Sequence, residues 1–506
     1  MTDNLAHPHN QRKSYALVSS RNDCWLIRCD VGPVLTIDDL PDDVLLAIFD
    51  FYVVRFQDLD NTKRRIESWQ PLVHVCRRWR FLVFGSPRRL NLQICYEPEK
   101  RARESMDVWP ALPLLIQGDV LDTSVDNVIA GLEHSDRIFQ LDLNCIAISD
   151  FENLWTAMQV PFPQLTTLYL TLAPWLYAPA LPDLFLGGFA PRLQCFYLHE
   201  IPFPGLPKLL LSTTHLVELY LCDIPHSGYI SPEAMATCLS MLASLEILQF
   251  EFTSPQYYPD IESLRLFPPT RPVLPCLKRF SFIGLNEYLE EFVARIDAPQ
   301  LYRLATTFFN DTDFDTPEFK QFISRTSILG AYDEAHLIFA GDRVRVRLSQ
   351  CQPGQFGQRM VDVQILTNRH LLTLTKICTL PLRPLLTMEN LFIDADISSP
   401  IVWEWDIENT EYLDLLLPFT AVKNLYVPHI FSPRLGLALK DVTGGRTTEI
   451  LPALQNVLLE KLEPSDRIRG GIAQFVSARQ LTNHPVAISV WDTRNLVGDR
   501  SCEADD

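Results

Sequence analysis

The sequence predicts a mixed α/β chain in which a short all-helical N-terminal module precedes a long, irregular repeat array built on a parallel sheet. Three observations predict it. Two amphipathic helical patterns lie between about residues 36 and 90. A six-residue unit with apolar residues at its first, fourth and sixth positions then recurs along much of the remaining chain. The composition, 506 residues with 47% hydrophobic and 21% charged, is that of a packed globular protein.

Residues 1 to about 33 read as a polar tail, with Asp3, Asn4, His7, Asn10 and Lys13 and no apolar core of the length a secretory signal needs. They end at the turn signal Gly32-Pro33. The first helix starts at Leu40-Pro41-Asp42-Asp43. Proline suits a first turn, where its missing N–H would have no partner, and the two aspartates complement the helix dipole. Apolar residues at 44, 45, 48, 49 and 52 then share one face. After a polar stretch from about Arg55 to Ser68, a second helix is expected through Leu72, Val73, Cys76, Trp79, Leu82 and Val83, with Arg77, Arg78 and Arg80 on its solvated side and a stop at Gly85-Ser86-Pro87. So small a module has too little interior to bury both faces alone.

The repeated unit appears as Ile138-Leu141-Leu143, Leu165-Leu168-Leu170, Leu193-Phe196-Leu198, Leu216-Leu219-Leu221, Leu245-Leu248-Phe250 and Leu277-Phe280-Phe282. An L-x-x-L-x-L unit returning every roughly 20–29 residues is the signature of a leucine-rich-repeat solenoid, in which alternate residues of a short strand face the core. Proline-rich stretches at Ala173-Pro174, Ile201-Pro202-Phe203-Pro204 and Phe267-Pro268-Pro269 fall between units, where returns belong. After about Leu301 the pattern degenerates, with Val344 to Leu348 alternating like an ordinary strand. It returns at Met388-Leu391-Ile393, Val422-Leu425-Val427 and Leu454-Val457-Leu459. A helix through Ile468, Ile472, Phe475, Val476 and Arg479, stopped by Asn483-His484-Pro485, and a strand from Val486 to Val490 are expected to cap the array.

Period-two alternation puts Leu168 and Leu170 inside and Tyr169 outside, with Tyr197 and Tyr220 in the same slot of the next two units. This predicts a tyrosine ladder flanked by Glu218 and His199, and these five residues are the expected target-binding set. Tyrosine combines a large apolar body with a polar tip.

Leu40-Pro41, Val44-Leu45 and Ile48-Phe49, followed by Leu72-Val73-His74-Val75-Cys76-Arg77-Arg78-Trp79-Arg80 and Leu82, resemble an F-box. Val83-Phe84-Gly85-Ser86-Pro87-Arg88-Arg89-Leu90, Leu451-Pro452-Ala453-Leu454-Gln455-Asn456, Phe475-Val476-Ser477-Ala478-Arg479-Gln480 and His484-Pro485-Val486-Ala487 resemble segments of a large F-box family of mushroom-forming fungi. The implied organisation is a tail over 1–33, an F-box over 34–95, a linker over 96–110, a degenerate leucine-rich-repeat-like domain over 111–495 and an acidic tail over 496–506. The resemblance implies a substrate-recognition subunit of an SCF-type cullin-RING ubiquitin ligase. Leu40, Pro41, Val44, Leu45, Ile48, Phe49, Leu72, Val73, Cys76, Trp79 and Leu82 would serve docking on a Skp-family adaptor and, through it, a cullin. The repeat domain would hold a protein target. The alternatives are a repeat scaffold with no part in ubiquitylation and a hydrolase with a cleft in the degenerate region.

No enzyme, cofactor or metal site is expected. The chain has no G-x-S-x-G elbow, P-loop, G-x-G-x-x-G or H-E-x-x-H motif. Cys24 and Cys29 lack a second Cys or His pair at zinc-ligand spacing. Asp38-Asp39, Asp42-Asp43, Glu290-Glu291 and Asp394-Asp396 read as helix-start or surface charges, and His199 as a lone histidine without a partner. A net charge of −18 argues against phosphate-backbone binding, so no nucleic acid is expected. No run reaches the roughly 18 apolar residues of a membrane span. The twelve cysteines fit reduced-compartment usage, and the expected location is cytoplasmic, nuclear or both.

Overall fold

The computed structural model describes residues 37–55, 67–99, 106, 108–147, 151–173, 179–253, 271–309, 316–330, 332–350, 359–367, 369–379, 387–395, 409–440, 442, 448–460 and 466–491. The two terminal tails, Cys24, Cys29 and most of the polar stretch after Arg55 lie outside them. The chain divides into two units, Met1–Leu92 and Gln93–Asp506.

In the first unit, α1 (Asp42–Arg55) begins after Pro41, whose carbonyl accepts the Leu45 N–H at 3.0 Å. Leu45, Phe49 and Val53, at i, i+4 and i+8, are buried, whereas Val44, Ile48 and Phe51 form a second apolar stripe that stays exposed. The single helix expected through Leu72 and Val83 is instead two, α2 (Gln70–Val73) and α3 (Arg77–Gly85). The break has a local cause: Cys76 adopts extended backbone angles and caps α3, its Sγ accepting the Trp79 N–H at 3.5 Å. Phe49 packs on Trp79 at 4.7 Å between ring centroids and Trp69 on Phe84 at 5.8 Å, closing a small core with Leu72, Val73, Leu82 and Val83. The arginines are not simply a solvated face. Arg78 donates to Asp42 Oδ1 and to the Leu40 carbonyl, both at 2.6 Å, and Arg80 to the Val73 carbonyl at 3.0 Å, pinning the helices together.

Among the described residues, the second unit is built on one sheet of sixteen strands: β1 (Ile94–Tyr96), β2 (Leu114–Leu121), β3 (Ile138–Ala147), β4 (Thr167–Leu172), β5 (Cys195–His199), β6 (Glu218–Ile224), β7 (Ile247–Phe252), β8 (Arg279–Gly284), β9 (Arg303–Phe308), β10 (Glu334–Phe339), β11 (Arg343–Ser349), β12 (Met360–Leu366), β13 (Asn390–Ala395), β14 (Asn424–Val427), β15 (Asn456–Glu460) and β16 (Ala487–Trp491). The sheet begins earlier than expected. Ile94, Cys95 and Tyr96 are buried and β1 pairs with β2, so the stretch read as the end of an F-box and the start of a linker opens the array.

Helices occupy many of the returns: α4 (Val125–Leu132), α5 (Glu152–Ala157), α6 (Leu206–Leu210), α7 (Pro232–Leu239), α8 (Asn286–Val293), α9 (Pro317–Arg325), α10 (His370–Thr379), α11 (Asn409–Leu416), α12 (Ser432–Lys440) and α13 (Asp466–Leu481). Ser231 caps α7, accepting the Ala234 N–H at 3.2 Å just before Pro232. Glu290 of α8 caps the next return: its carboxylate accepts the Glu318 and Phe319 N–H groups of α9 at 2.9 and 2.8 Å.

From β3 to β9 the neighbours are parallel and in register, so Leu141, Leu168, Phe196, Leu219, Leu248, Phe280 and Leu304 form one continuous inward row. Each is at most 1% exposed, and full burial of such a side chain is worth about 1.5–3 kcal/mol. The sheet is not wholly parallel. After β9 the chain crosses to β10 and returns through β11 and β12, giving the spatial order β9-β12-β11-β10-β13 with β11 antiparallel to both neighbours. This meander fills the region where the repeat fails. Parallel pairing resumes from β13 to β16. In α13 Ile472 and Phe475 are buried as expected, and so is Arg479, which donates to the carbonyls of Leu451, Pro452 and Leu454 at 3.1–3.4 Å.

Candidate interaction surface

Alternation along the strands leaves a half-exposed row opposite the buried one. Across β3 to β7 that row reads Asp142, Tyr169, Tyr197, Tyr220 and Gln249, each in register with the next. The three tyrosine rings form a ladder, with centroids 5.5 Å apart between Tyr169 and Tyr197 and 5.8 Å between Tyr197 and Tyr220. Their hydroxyls are anchored sideways. Tyr169 is hydrogen-bonded to the Cys195 thiol at 3.3 Å, Tyr197 to the Cys222 thiol, and Tyr220 donates to Glu218 Oε2 at 3.3 Å. Burial raises all three hydroxyls above the ordinary phenol value and pushes the Cys195 and Cys222 thiols up to about 12. The ladder therefore presents neutral rings and neutral thiols.

Carboxylates border it on three sides. Asp142 precedes Tyr169 in the row, Glu218 holds Tyr220, and at the carboxyl ends of the strands lie His199, Glu200, Asp223 and Glu251. His199 stacks parallel to Tyr197 at 6.5 Å, and its Nε2 pairs with Asp223 Oδ2 at 3.1 Å. The sequence reading of His199 as partnerless is thus corrected: its carboxylate lies one strand over. Glu200, just after β5, and Asp223, within β6, each follow the paired residues His199 and Cys222, and both are in the left-handed region with φ of 60° and 49°. His199, Glu200 and Asp223 bring one ligand atom each within 4.8 Å of one another. Burial raises the carboxyl groups of Asp142, Glu200 and Glu251, with Asp223 adding repulsion at the last two and His199 opposing it. Gln249 donates to Glu251 Oε1 at 2.9 Å.

A second aromatic column was missed in the sequence. His336 on β10 stacks on Phe392 of β13 at 4.4 Å, Phe392 on Tyr426 of β14 at 4.0 Å, and Tyr426 meets Trp491 of β16 edge-on at 5.6 Å. His336 Nδ1 lies 3.0 Å from Asp394 Oδ2, so Asp394 is no mere surface charge. Beside the column, Asn456 donates to Asn424 and Asn424 to Asn390, each at 2.8 Å. On the meander, Asp362 is buried between Arg345 and Arg347.

In the first unit the eleven residues expected at the adaptor separate by burial. Leu45, Phe49, Leu72, Val73 and Leu82 are core; Leu40, Cys76 and Trp79 are half-buried; Pro41, Val44 and Ile48 are exposed. Phe51 at 70% and Phe81 at 78% exposure are more open than Val44 at 39% and Ile48 at 42%, and were not singled out from the sequence.

No family model matches the chain and no curated protein matches it. Among solved structures, the leucine-rich repeat-containing protein LegL7 from Legionella pneumophila aligns at a TM-score of 0.26 with 11% identity, over 76% of this chain and 97% of that one. A likeness so weak carries no argument; the leucine-rich-repeat-like reading rests on the strand register and the inward leucine rows. No helix among the described residues is long and apolar enough to cross a membrane.

Proposed function

We propose that this chain is a substrate receptor of an SCF-type ubiquitin ligase, docking on a Skp-family adaptor through its N-terminal helices and holding a protein target on the half-exposed face of its sheet. One observation carries the reading. Helix α1 has two apolar stripes, and only Leu45, Phe49 and Val53 are used within the unit, while Val44, Ile48 and Phe51 face solvent. An exposed apolar stripe on a helix otherwise fixed by its own core fits a helix docked into a partner's groove. The F-box-like residues support the adaptor as that partner, and the tyrosine ladder supports a protein target on the sheet, because such rings are enriched at binding hot spots. The receptor would act by raising effective concentration and orientation, with the covalent chemistry done by other subunits.

The test is co-purification of the full chain with adaptor and cullin, with and without Ile48→Glu plus Phe51→Glu. Loss of the adaptor with an unchanged melting curve is expected. Capture that survives the double change, or wild-type protein that never retains the adaptor, would refute the reading and leave a free-standing interaction scaffold.

A further inference from the structure

We infer that the partner held by the tyrosine ladder is a cationic segment, a stretch of polypeptide carrying two or more arginine or lysine side chains. The inference rests on the sheet face being the target surface and adds the chemistry of what it binds.

The charge around the ladder is unbalanced. Asp142, Glu200, Glu218, Asp223 and Glu251 border three tyrosines, and among the described residues no lysine or arginine forms an ion pair with any of them; His199 pairs with Asp223 alone. Elsewhere in this unit several carboxylates have a permanent cation: Asp362 has Arg345 and Arg347, Asp297 has Arg325, Glu291 has Arg295, and Glu246 and Glu389 each have a lysine, while Asp394 and Glu460 pair with histidines as Asp223 does. Half-buried carboxylates without cations are costly unless something supplies the charge. Burial accordingly shifts three of the five toward the neutral acid.

Geometry favours a side chain as the cation. Adjacent strands lie about 4.8 Å apart, so three rings make a platform about 10 Å across. A guanidinium or ammonium within about 6 Å of a ring centroid gains cation–π attraction, and here it would have a carboxylate within reach at either end of the strands. Arginine is favoured because its planar group stacks on tyrosine and pairs with carboxylates in bidentate fashion. A divalent metal on His199, Glu200 and Asp223 would sit at one end of the ladder and leave Asp142 and Glu218 without a cation, so a side chain that spans the rings suits the whole face better. A second copy of the chain, at a net charge of −18, is not complementary.

The experiment is fluorescence anisotropy of the full chain with labelled nona-arginine, nona-lysine and nona-glutamate at near-physiological salt. Three variants are compared: Asp223→Asn with Glu251→Gln, Tyr197→Ala with Tyr220→Ala, and Glu152→Gln with Glu233→Gln, which makes the same charge change at exposed positions of helices α5 and α7. The arginine peptide should bind tightest. The first two variants should weaken it at least about ten-fold, and the helix control should stay within about two-fold of wild type. An equal loss in the helix control would mean unspecific attraction and overturn the inference. So would glutamate binding as tight as arginine, or stoichiometric Zn²⁺ uptake that depends on His199 while the peptide is ignored. Loss with the alanine pair but not with the carboxylate pair would keep the face and overturn its charge chemistry; loss with neither would overturn the face as well.

Discussion

Replacing Tyr197 by alanine, with Phe196→Ala as its neighbour control, separates the two faces of β5 within one strand. Tyr197 is half-exposed and makes ring contacts at 5.5 and 5.8 Å on either side. At about 0.5–1.5 kcal/mol for each aromatic pair, its loss should cost about 1–3 kcal/mol. Phe196 is fully buried in the inward row, and truncating such a side chain costs about 3–5 kcal/mol. Urea unfolding of both variants, with Tyr197→Phe as a third, should therefore rank them phenylalanine first, Tyr197→Ala next and Phe196→Ala last. Target capture should rank the alanine variants the other way once only folded protein is compared. If Tyr197→Ala instead unfolds before Phe196→Ala and still captures the target, the ladder is core and recognition lies elsewhere.

Asp362→Asn should lower stability by about 2–4 kcal/mol in denaturant titration, since it removes the buried carboxylate that pairs with Arg345 and Arg347; the figure is reduced from the fully buried case because Arg345 is 33% exposed. A loss under about 1 kcal/mol would show that solvent screens the cluster. For His336, burial alone would lower the pKa, but hydrogen bonds and charge from Asp394 and Glu334 outweigh it and raise the value above 6.5. Its contribution is then complete below about pH 6.5 and is lost as the pH climbs through the raised value, a decline that His336→Gln should flatten in melting curves taken across that range.

The strands from β3 to β8 were legible because each unit keeps its inward positions apolar, and Tyr169, Tyr197 and Tyr220 were legible because alternation fixes the slot between them. Where the sequence misled, the physical signal was shared by two structures. Apolar periodicity runs unbroken from Leu72 to Val83, yet Cys76 leaves helical angles. Val344 to Leu348 alternates as any strand does, and alternation carries no information about direction, so the antiparallel meander was invisible. β2 escaped because Gln117 and Gly118 break the leucine pattern; Gly118, at φ +144°, lies where a Cβ would come within 3.0 Å of Pro98. The pairing of His199 with Asp223 joins neighbouring strands, which adjacency in sequence does not reveal. The asparagine ladder was readable, since Asn390, Asn424 and Asn456 precede the fourth position of three successive units.

The meander sets the order in which the sheet can close. Regular neighbours meet after one short return, as Tyr169 and Cys195 do 26 residues apart, but Thr306 of β9 reaches Asp362 of β12 only 56 residues later, and His336 of β10 reaches Asp394 of β13 after 58. Doubling a loop adds only about 0.6 kcal/mol of closure entropy, so equilibrium stability hardly registers the detour. Assembly does. While the chain is being synthesised, β9 waits with an unpaired backbone edge until the excursion through β10 and β11 has come back as β12, and an open edge is where strands of other molecules add. The nascent chain is thus most vulnerable to intermolecular pairing during one interval, and a ribosome pause placed there would lengthen the exposure that the finished sheet no longer has.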